Sequence, residues 1–224
     1  LAAEVAAELR VVGHVVAEIL EGLSYAHQRI DAHRDISPDN VLVSWEGAVK
    51  IGDFGIAKAA STTRLTRQGT IKGKLGYLSP EQARGLPLDG RSDLFAVGVV
   101  FHELITGQQL FTGNTDAEAL AQMLAKDIEA PARISGVPGD VQAICLRLLE
   151  RDRAARFASA DEALDALAKT AILPRRGSFS LARWLDERFR NSETPDLSPK
   201  ETCFVSESQL IEAQSDHPKN LPRI

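Results

Sequence analysis

Two short polar motifs, separated by a stretch that favours a β-hairpin, are the feature that most constrains this chain. Residues 33–40 read His-Arg-Asp-Ile-Ser-Pro-Asp-Asn, and residues 53–55 read Asp-Phe-Gly. Between them, short β-like runs at 41–43 and 49–51 flank a turn at 45–47 that ends in glycine, which is the pattern of a hairpin. A hairpin would fold the second motif back beside the end of the first, so that two acids and an amide lie close together.

The side chains that would converge are Asp35, Asn40 and Asp53. One carboxylate of such a group can orient a hydroxyl and accept its proton. The other carboxylate and the amide oxygen are hard ligands that suit divalent cations. The residues alone therefore point to metal-assisted chemistry at a hydroxyl, with a hairpin that has acidic flanks on some other fold as the alternative.

The order and spacing of the two motifs resemble the catalytic and magnesium loops of bacterial eukaryotic-like (Hanks-type) serine/threonine protein kinases, H-R-D-x-x-x-x-N and D-F-G. The resemblance implies that Asp35 is the catalytic base. It implies that Asn40 and Asp53 bind Mg²⁺ and, through it, ATP. It also implies structural or regulatory roles for the neighbouring residues His33, Arg34, Phe54 and Gly55.

The rest of the chain is typical of a mainly helical domain. Apolar residues recur at three and four positions in 4–28, which predicts one long helix. Ser92-Asp93 are expected to cap an apolar helix over roughly 93–106. Further helices are predicted at about 115–127, 138–149 and 160–170. Together with the resemblance, these patterns predict a protein-kinase-like α+β fold, a mainly α-helical C-lobe with a small β-hairpin at the catalytic loop.

Residues 56–81 lack apolar periodicity and carry several hydroxyl and basic side chains, so we predict a mobile loop. Its end, Ser79-Pro80-Glu81, resembles the Ala-Pro-Glu end of a kinase activation segment. The resemblance implies that this loop holds the substrate peptide. A phosphate on Thr66 or Thr70 would give the Arg34 guanidinium a bidentate partner, and an unmodified polar loop is the alternative.

Two later matches extend the resemblance into the helical part. Asp93 and Gly98 fit the D-x-W-x-x-G pattern of the central C-lobe helix, with Phe95 at the usual tryptophan position. In the family this acid braces the backbone of the catalytic loop, which is the role implied for Asp93. Arg156 stands where the family has an arginine paired with the acid of Ala-Pro-Glu, so an ion pair between Glu81 and Arg156 is expected.

The chain departs from the family pattern at one pair of positions. Ser37 stands where the catalytic loop usually has a lysine that contacts the transferred phosphate. Lys74 stands where the family has a threonine near the end of the activation segment. We expect Lys74 to supply the ammonium group that is missing at position 37, and a weak or inactive site is the alternative.

The second departure is that the sequence contains no glycine-rich phosphate loop, no V-A-I-K-type lysine and no matching glutamate. These motifs belong to the N-lobe, so we interpret residues 1–172 as the C-lobe of a partial kinase domain and residues 173–224 as a largely disordered linker or tail. The only methionine is Met123, which suggests a segment of a longer chain. Because such kinases hold ATP between two lobes, we expect this segment alone to bind ATP weakly and to be inactive.

Composition narrows the partners and the compartment. The chain has 26 Lys and Arg residues against 31 Asp and Glu residues, a net charge of -5 that argues against a nucleic-acid surface. The most apolar run, 94–104, is too short to span a bilayer. The two cysteines match no metal spacing, which favours a reducing, cytoplasmic setting. The partners that the resemblance implies are a protein substrate and the missing N-lobe.

Two other functions are compatible with parts of the sequence. A pseudokinase-like binding module would use the helical lobe without catalysis, but the complete set of Asp35, Asn40 and Asp53 argues against it. A small-molecule phosphotransferase of the aminoglycoside-kinase type shares an acid–amide loop and a later magnesium acid. Such enzymes usually lack a Ser/Thr-rich loop that ends in Pro-Glu, and this chain has one.

If Lys74 replaces the missing lysine, Lys74→Met in the full-length protein should lower the phosphoryl-transfer rate by about 100-fold or more. This is the order of loss expected when one preorganised group that stabilises charge in the transition state is removed. The measurement is kcat at saturating ATP. A variant with a nearly unchanged kcat would contradict the assignment.

Overall fold

The computed structural model describes residues 2–54, 74–113, 115–125, 128 and 136–189. Within these ranges the chain forms seven α-helices and one two-stranded antiparallel sheet, which confirms the predicted mainly helical fold with a small hairpin. The helices are α1 Ala2–His27, α2 Pro80–Ala83, α3 Gly90–Thr106, α4 Asp116–Ala125, α5 Gly139–Leu148, α6 Ala160–Ala168 and α7 Gly177–Phe189. The strands are β1 Val41–Val43 and β2 Val49–Ile51, and 3-10 turns span Pro38–Asn40 and Lys74–Tyr77.

Helix α3 lies at the centre of the core. Every residue from Ser92 to Phe101 is buried, so the helix is covered on all sides over that length, as expected for a helix that is apolar all round. Helices α1, α5 and α6 pack against it, and α1 contributes the fully buried Val16, Ile19 and Leu23. This arrangement brings the end of α1 and the start of α3 together beneath the loop that carries Asp35.

The start of α3 corrects one prediction. The side chain of Asp89 accepts a hydrogen bond from the Arg91 backbone N–H at 2.9 Å, so Asp89 is the N-cap rather than Ser92 or Asp93. The local sequence pattern could not show which of Asp89, Ser92 and Asp93 is the N-cap. Asp93 makes its contacts with a distant loop instead of its own helix. The helix ends as expected at Gly107, which has a φ of 66°.

The other predicted helices are present with small shifts at their ends, and α1 is the helix predicted over 4–28. The loop predicted over 56–81 is helical at its end, because Lys74–Tyr77 is a 3-10 turn and Pro80–Ala83 is α2. Residues 55–73, which include Gly55, Thr66 and Thr70, lie outside the described residues. No helix in the described part of the chain has both the length and the apolar character needed to cross a membrane.

The packing of the domain continues beyond the predicted boundary at 172. Helix α7, which the sequence interpretation assigned to a linker or tail, packs against α1 and buries Leu181. An ion pair between Arg188 and Glu8 joins the same two helices. The compact unit runs from Leu1 to Arg190, because the apolar face of α7 is covered by α1.

The hairpin turn and α7 approach each other closely at Gly47. This residue has a φ of 80°, and a Cβ placed there would lie 1.9 Å from the carbonyl oxygen of Ser178. The His14 ring and the Gly47 carbonyl are joined by a 3.1 Å hydrogen bond. The turn is therefore held between α1 and α7, and only glycine fits there.

We therefore predict that Gly47→Ala lowers the free energy of unfolding by about 2–5 kcal/mol. This figure adds the cost of a left-handed backbone at a non-glycine residue to the cost of an overpacked contact. Gly85→Ala is the matched control, because Gly85 has a φ of 65° but no atom lies within 4 Å of the position that an added Cβ would occupy. Gly85→Ala should lower the free energy of unfolding only by the cost of the left-handed backbone, about 1–2 kcal/mol. Urea unfolding gives both values, and equal losses would contradict the close approach of α7.

Candidate active site

The backbone leading to Asp35 is fixed by a carboxylate from α3. Asp93 is 1% exposed, and its two oxygens accept hydrogen bonds from the backbone N–H groups of His33 at 2.7 Å and Arg34 at 2.8 Å. His27, at the end of α1, contacts the same carboxylate at 2.8 Å. The contacts expected of Asp93 are therefore present, and His27 is a further member of the group that no sequence motif had singled out.

The two motifs share an unusual backbone conformation. Arg34 has a φ of 73° and Asp53 has a φ of 52°, the only positive values at non-glycine residues in the described part of the chain. Such a conformation costs about 1–3 kcal/mol and persists only where the surroundings enforce it. At Arg34 both sides of the residue are held, because Asp93 binds its N–H and the side chain of Gln82 donates to its carbonyl at 3.0 Å.

Asn40 connects the loop of Asp35 with the hairpin. Its side chain is buried, with the residue 4% exposed, and Nδ2 donates to the Asp35 carbonyl at 2.6 Å. Since a carbonyl can only accept, this contact assigns Nδ2 and leaves Oδ1 as the atom that could bind a cation. The backbone N–H of Gly52 donates to the Asn40 carbonyl at 2.8 Å. The hairpin thus folds the chain back on itself. Asp53 directly follows Gly52, the residue whose N–H is bonded to Asn40.

The side chains on either side of these acids are packing residues. The rings of His33 and Phe54 meet edge to face, with their centroids 4.7 Å apart. His33 is fully buried, and its burial lowers the pKa of the imidazole although the Asp93 carboxylate nearby opposes that shift. His33 is therefore mainly neutral at pH 7, and its contact with Phe54 joins the two motifs through their side chains.

The donor set fits magnesium only in combination with a substrate. Among the described residues, no group of three or more His, Cys, Asp or Glu side chains could hold a metal ion. Asn40 and the exposed Asp53 instead offer one amide oxygen and one carboxylate. Mg²⁺ is commonly held by one or two carboxylates together with substrate phosphates, so these two residues fit a site that nucleotide phosphates complete.

Glu81, in α2, forms a buried bidentate ion pair with Arg156, as expected from the resemblance. Arg156 donates from Nη1 to Oε1 at 2.7 Å and from Nη2 to Oε2 at 2.9 Å, across 75 residues of sequence. Ser92 donates to the same carboxylate at 2.7 Å. Burial opposes ionisation of Glu81, but the bonds from Arg156 and Ser92 outweigh it and hold the pKa of Glu81 below its usual value.

Ser37 lies against the segment that follows Lys74. Ser37 is 2% exposed, and its Oγ has no hydrogen-bond partner among the described residues. A small cavity between the two segments is lined by Ser37, Tyr77 and Leu78. The Tyr77 hydroxyl donates to Glu103 at 2.5 Å, and burial together with that carboxylate raises the pKa of the phenol. Lys74 begins a 3-10 turn here, but its side chain lies outside the description.

Sequence reasoning did not single out Gln82, although a signal was present. Ser79 and Gln82 have the S-x-x-Q spacing of a capping box, and both reciprocal bonds of that box are made at the start of α2. The contact of Gln82 with Arg34 left no such signal, because it joins residues 48 positions apart.

Glu81→Gln should lower the free energy of unfolding at pH 7 by about 3–5 kcal/mol, because it leaves the buried Arg156 guanidinium without its counter-charge. Glu187→Gln is the control, since its pair with Arg183 is exposed to solvent and should contribute far less to stability. Urea unfolding measures both, and similar losses in the two variants would contradict a structural role for the buried pair.

The same pair predicts a pH dependence. The folded pKa of Glu81 lies below its ordinary value of 4.5, so the contribution of the pair is complete above that pH. The contribution is lost as the pH falls from 4.5 through the folded pKa, because over that range the Glu81 carboxyl is protonated in the unfolded state before it is protonated in the folded state. Wild type should therefore lose more stability than Glu81→Gln between pH 7 and pH 3, whereas parallel curves would show that the pair does not control acid unfolding.

Comparison with known proteins identifies the family. The model of the protein kinase domain matches residues 1–167. The probable serine/threonine-protein kinase PknB of Lactococcus lactis is 37% identical over 168 residues, which are 75% of this chain and 27% of that protein. The serine/threonine-protein kinase PrkC of Bacillus subtilis is 33% identical over 204 residues, which are 91% of this chain and 30% of that protein.

A third relative, the tyrosine-protein kinase MasK of Myxococcus xanthus, is 34% identical over 208 residues, which are 85% of this chain and 32% of that protein. The matched part is thus less than a third of the length of each of these three relatives. The match to the family, over residues 1–167, contains both polar motifs, the braced catalytic loop and the Glu81–Arg156 pair. This chain belongs to the protein kinase domain family.

Proposed function

We propose that the protein carrying this segment is an ATP-dependent protein serine/threonine kinase that transfers the γ-phosphate of ATP to a hydroxyl group of a protein substrate. The observation that carries the proposal is the fixed backbone of Asp35. Its preceding peptide is held through Arg34, and its own carbonyl is bound by Asn40. A candidate base with a fixed backbone is what transfer to a positioned hydroxyl requires.

In this proposal each polar residue has one task. Asp35 orients the substrate hydroxyl and accepts its proton. Asn40 holds the Asp35 carbonyl with Nδ2 and offers Oδ1 to Mg²⁺, while Asp53 offers its carboxylate from the returning hairpin. When bound with ATP, Mg²⁺ neutralises the charge that develops on the phosphates.

Lys74 is proposed to contact the transferred phosphate, and Ser37 takes the place of the usual lysine. Support comes from the small cavity that Ser37 shares with Tyr77 and Leu78, since it places the two segments side by side. Arg34 is proposed to bind a regulatory phosphate on Thr66 or Thr70. The Nε of Arg34 is buried and has no hydrogen-bond partner among the described residues, which favours an anionic partner.

The hairpin supports the proposal that a nucleotide and an N-lobe cover this segment in the full-length protein. Leu42 is 51% exposed and Val43 is 44% exposed on β1, directly after Asn40. Such a surface suits the flat apolar face of a nucleotide base on one side and a covering lobe on the other. Without that cover, the segment should bind ATP weakly. A cytoplasmic location, where ATP and Mg²⁺ are available, is part of the proposal.

The choice of hydroxyl is supported by two observations. Two of the three relatives described above are named serine/threonine-protein kinases, and one is named a tyrosine-protein kinase. Tyrosine kinases usually carry an arginine in the loop where this chain has Ser37-Pro38. Serine and threonine are therefore proposed as the acceptors.

The test uses the full-length protein with radiolabelled ATP, Mg²⁺ and casein. Asp35→Asn should lower phosphate incorporation by about 100- to 10,000-fold, the usual contribution of a general base. Asp53→Asn should act similarly, and EDTA should abolish transfer. Asp31→Asn is the control, because Asp31 is exposed and lies outside the motif.

The label should be recovered as phosphoserine and phosphothreonine. Recovery as phosphotyrosine would contradict the choice of acceptor. A wild-type protein that does not label casein or itself, or an Asp35→Asn variant as active as Asp31→Asn, would contradict the kinase assignment.

A further inference from the structure

We infer that Gln82 is a positioning residue for Asp35. Its side-chain amide couples the end of the segment proposed to hold the substrate with the backbone that carries the candidate base. This inference rests on the proposed kinase activity and adds to it a residue outside the motifs discussed above.

Gln82 uses the two ends of one amide for two different elements. Its Oε1 accepts from the backbone N–H of Ser79 at 2.9 Å, which closes the first turn of α2. Its Nε2 donates to the carbonyl of Arg34 at 3.0 Å, in the loop directly before Asp35. The side chain is therefore a direct link between α2 and the catalytic loop.

The chemistry of the two partners fixes the orientation of this amide. The Ser79 N–H can only donate, and the Arg34 carbonyl can only accept. A rotated amide would place two donors together at one end and two acceptors together at the other. A glutamate could accept from Ser79, but its carboxylate has no hydrogen to give to Arg34, so glutamine alone satisfies both partners.

The bond to Arg34 acts at a strained point of the loop. Arg34 has a φ of 73°, and Asp93 holds only the N–H side of this residue. The carbonyl side belongs to the peptide that continues into Asp35, and Gln82 is the group that binds it. Without this donor the peptide gains freedom to rotate, and any rotation displaces Asp35 relative to a bound hydroxyl. Small displacements of that kind reduce rate more than binding.

The support behind Gln82 is itself rigid. The neighbouring residue Glu81 is held by Arg156 and Ser92 in the core. Helix α2 therefore cannot shift without breaking a buried ion pair. The position of the substrate segment and the position of the Asp35 backbone are thus fixed to each other through Gln82.

A capping role alone would need only Oε1, and two variants of the full-length protein separate the roles. Gln82→Glu keeps the acceptor for Ser79 and removes the donor to Arg34. Ser159→Ala is the matched control, because it removes the hydroxyl that caps α6 by accepting from the Glu162 N–H at 3.1 Å and leaves both side-chain bonds of Gln82 in place. Steady-state kinetics with casein and thermal unfolding are measured for both.

Gln82→Glu should lower kcat by about tenfold, the ratio that loss of one neutral hydrogen bond allows, with KM for ATP within about twofold of wild type. The defect should shrink as pH falls, because a protonated carboxyl regains a donor for Arg34. Ser159→Ala should keep kcat and lose only Tm. A wild-type kcat in Gln82→Glu would overturn the inference. So would a fall in kcat no larger than its loss of Tm explains, judged against Ser159→Ala.

A second readout does not depend on activity. In protein labelled with ¹⁵N at aspartate, the Asp35 amide nitrogen reports the hydrogen bond to the preceding Arg34 carbonyl. Its resonance should move in Gln82→Glu and stay in place in Ser159→Ala. A resonance that stays in place in Gln82→Glu would overturn the inference. A wild-type protein with no transferase activity would overturn the proposed function, and this readout would then decide the role of Gln82.

Discussion

The structure depends on one buried carboxylate. Asp93 lies in α3, the buried central helix of the core. It accepts hydrogen bonds from two successive backbone N–H groups of the catalytic loop, and its carboxylate also contacts His27. A carboxylate buried without such partners would cost several kcal/mol. The same bonds hold Arg34 in a conformation that the free chain disfavours. The loop and the buried acid therefore stabilise each other, and neither arrangement would persist alone.

Three elements that are distant in sequence meet at this loop. Helix α3 holds it through Asp93, the hairpin through Asn40, and α2 through Gln82. Helix α2 is in turn fixed in the core by Glu81 and Arg156. Some of the contacts that hold α2 and α3 in the helical lobe thus also position the candidate base. A change in the core that shifts α2 or α3 should therefore affect chemistry even when the motif residues are untouched.

The sequence predicted what local patterns encode. The hairpin followed from turn residues and short apolar runs, and the ion pair of Glu81 followed from a family resemblance. Local patterns failed where tertiary contacts decide. They placed the cap of α3 at Ser92-Asp93 instead of Asp89, and only the resemblance indicated that Asp93 braces the catalytic loop. They also assigned α7 to a tail, although α7 packs against α1. The donor of Gln82 was invisible for the same reason. The roles of Lys74, Asn40 and Asp53 toward ATP and Mg²⁺ stay predictions, because they depend on groups that the chain itself does not supply.

Amide hydrogen exchange at His33 and Arg34 tests the central claim most directly. If Asp93 holds both N–H groups, they should exchange about as slowly as the core amides of α3, because release requires opening of the same packed unit. Asp93→Ala should raise their exchange to the rate of unprotected amides in an unstructured chain of the same sequence. Rapid exchange at both amides in the wild-type protein would contradict the account, since the loop would then be held by something other than α3.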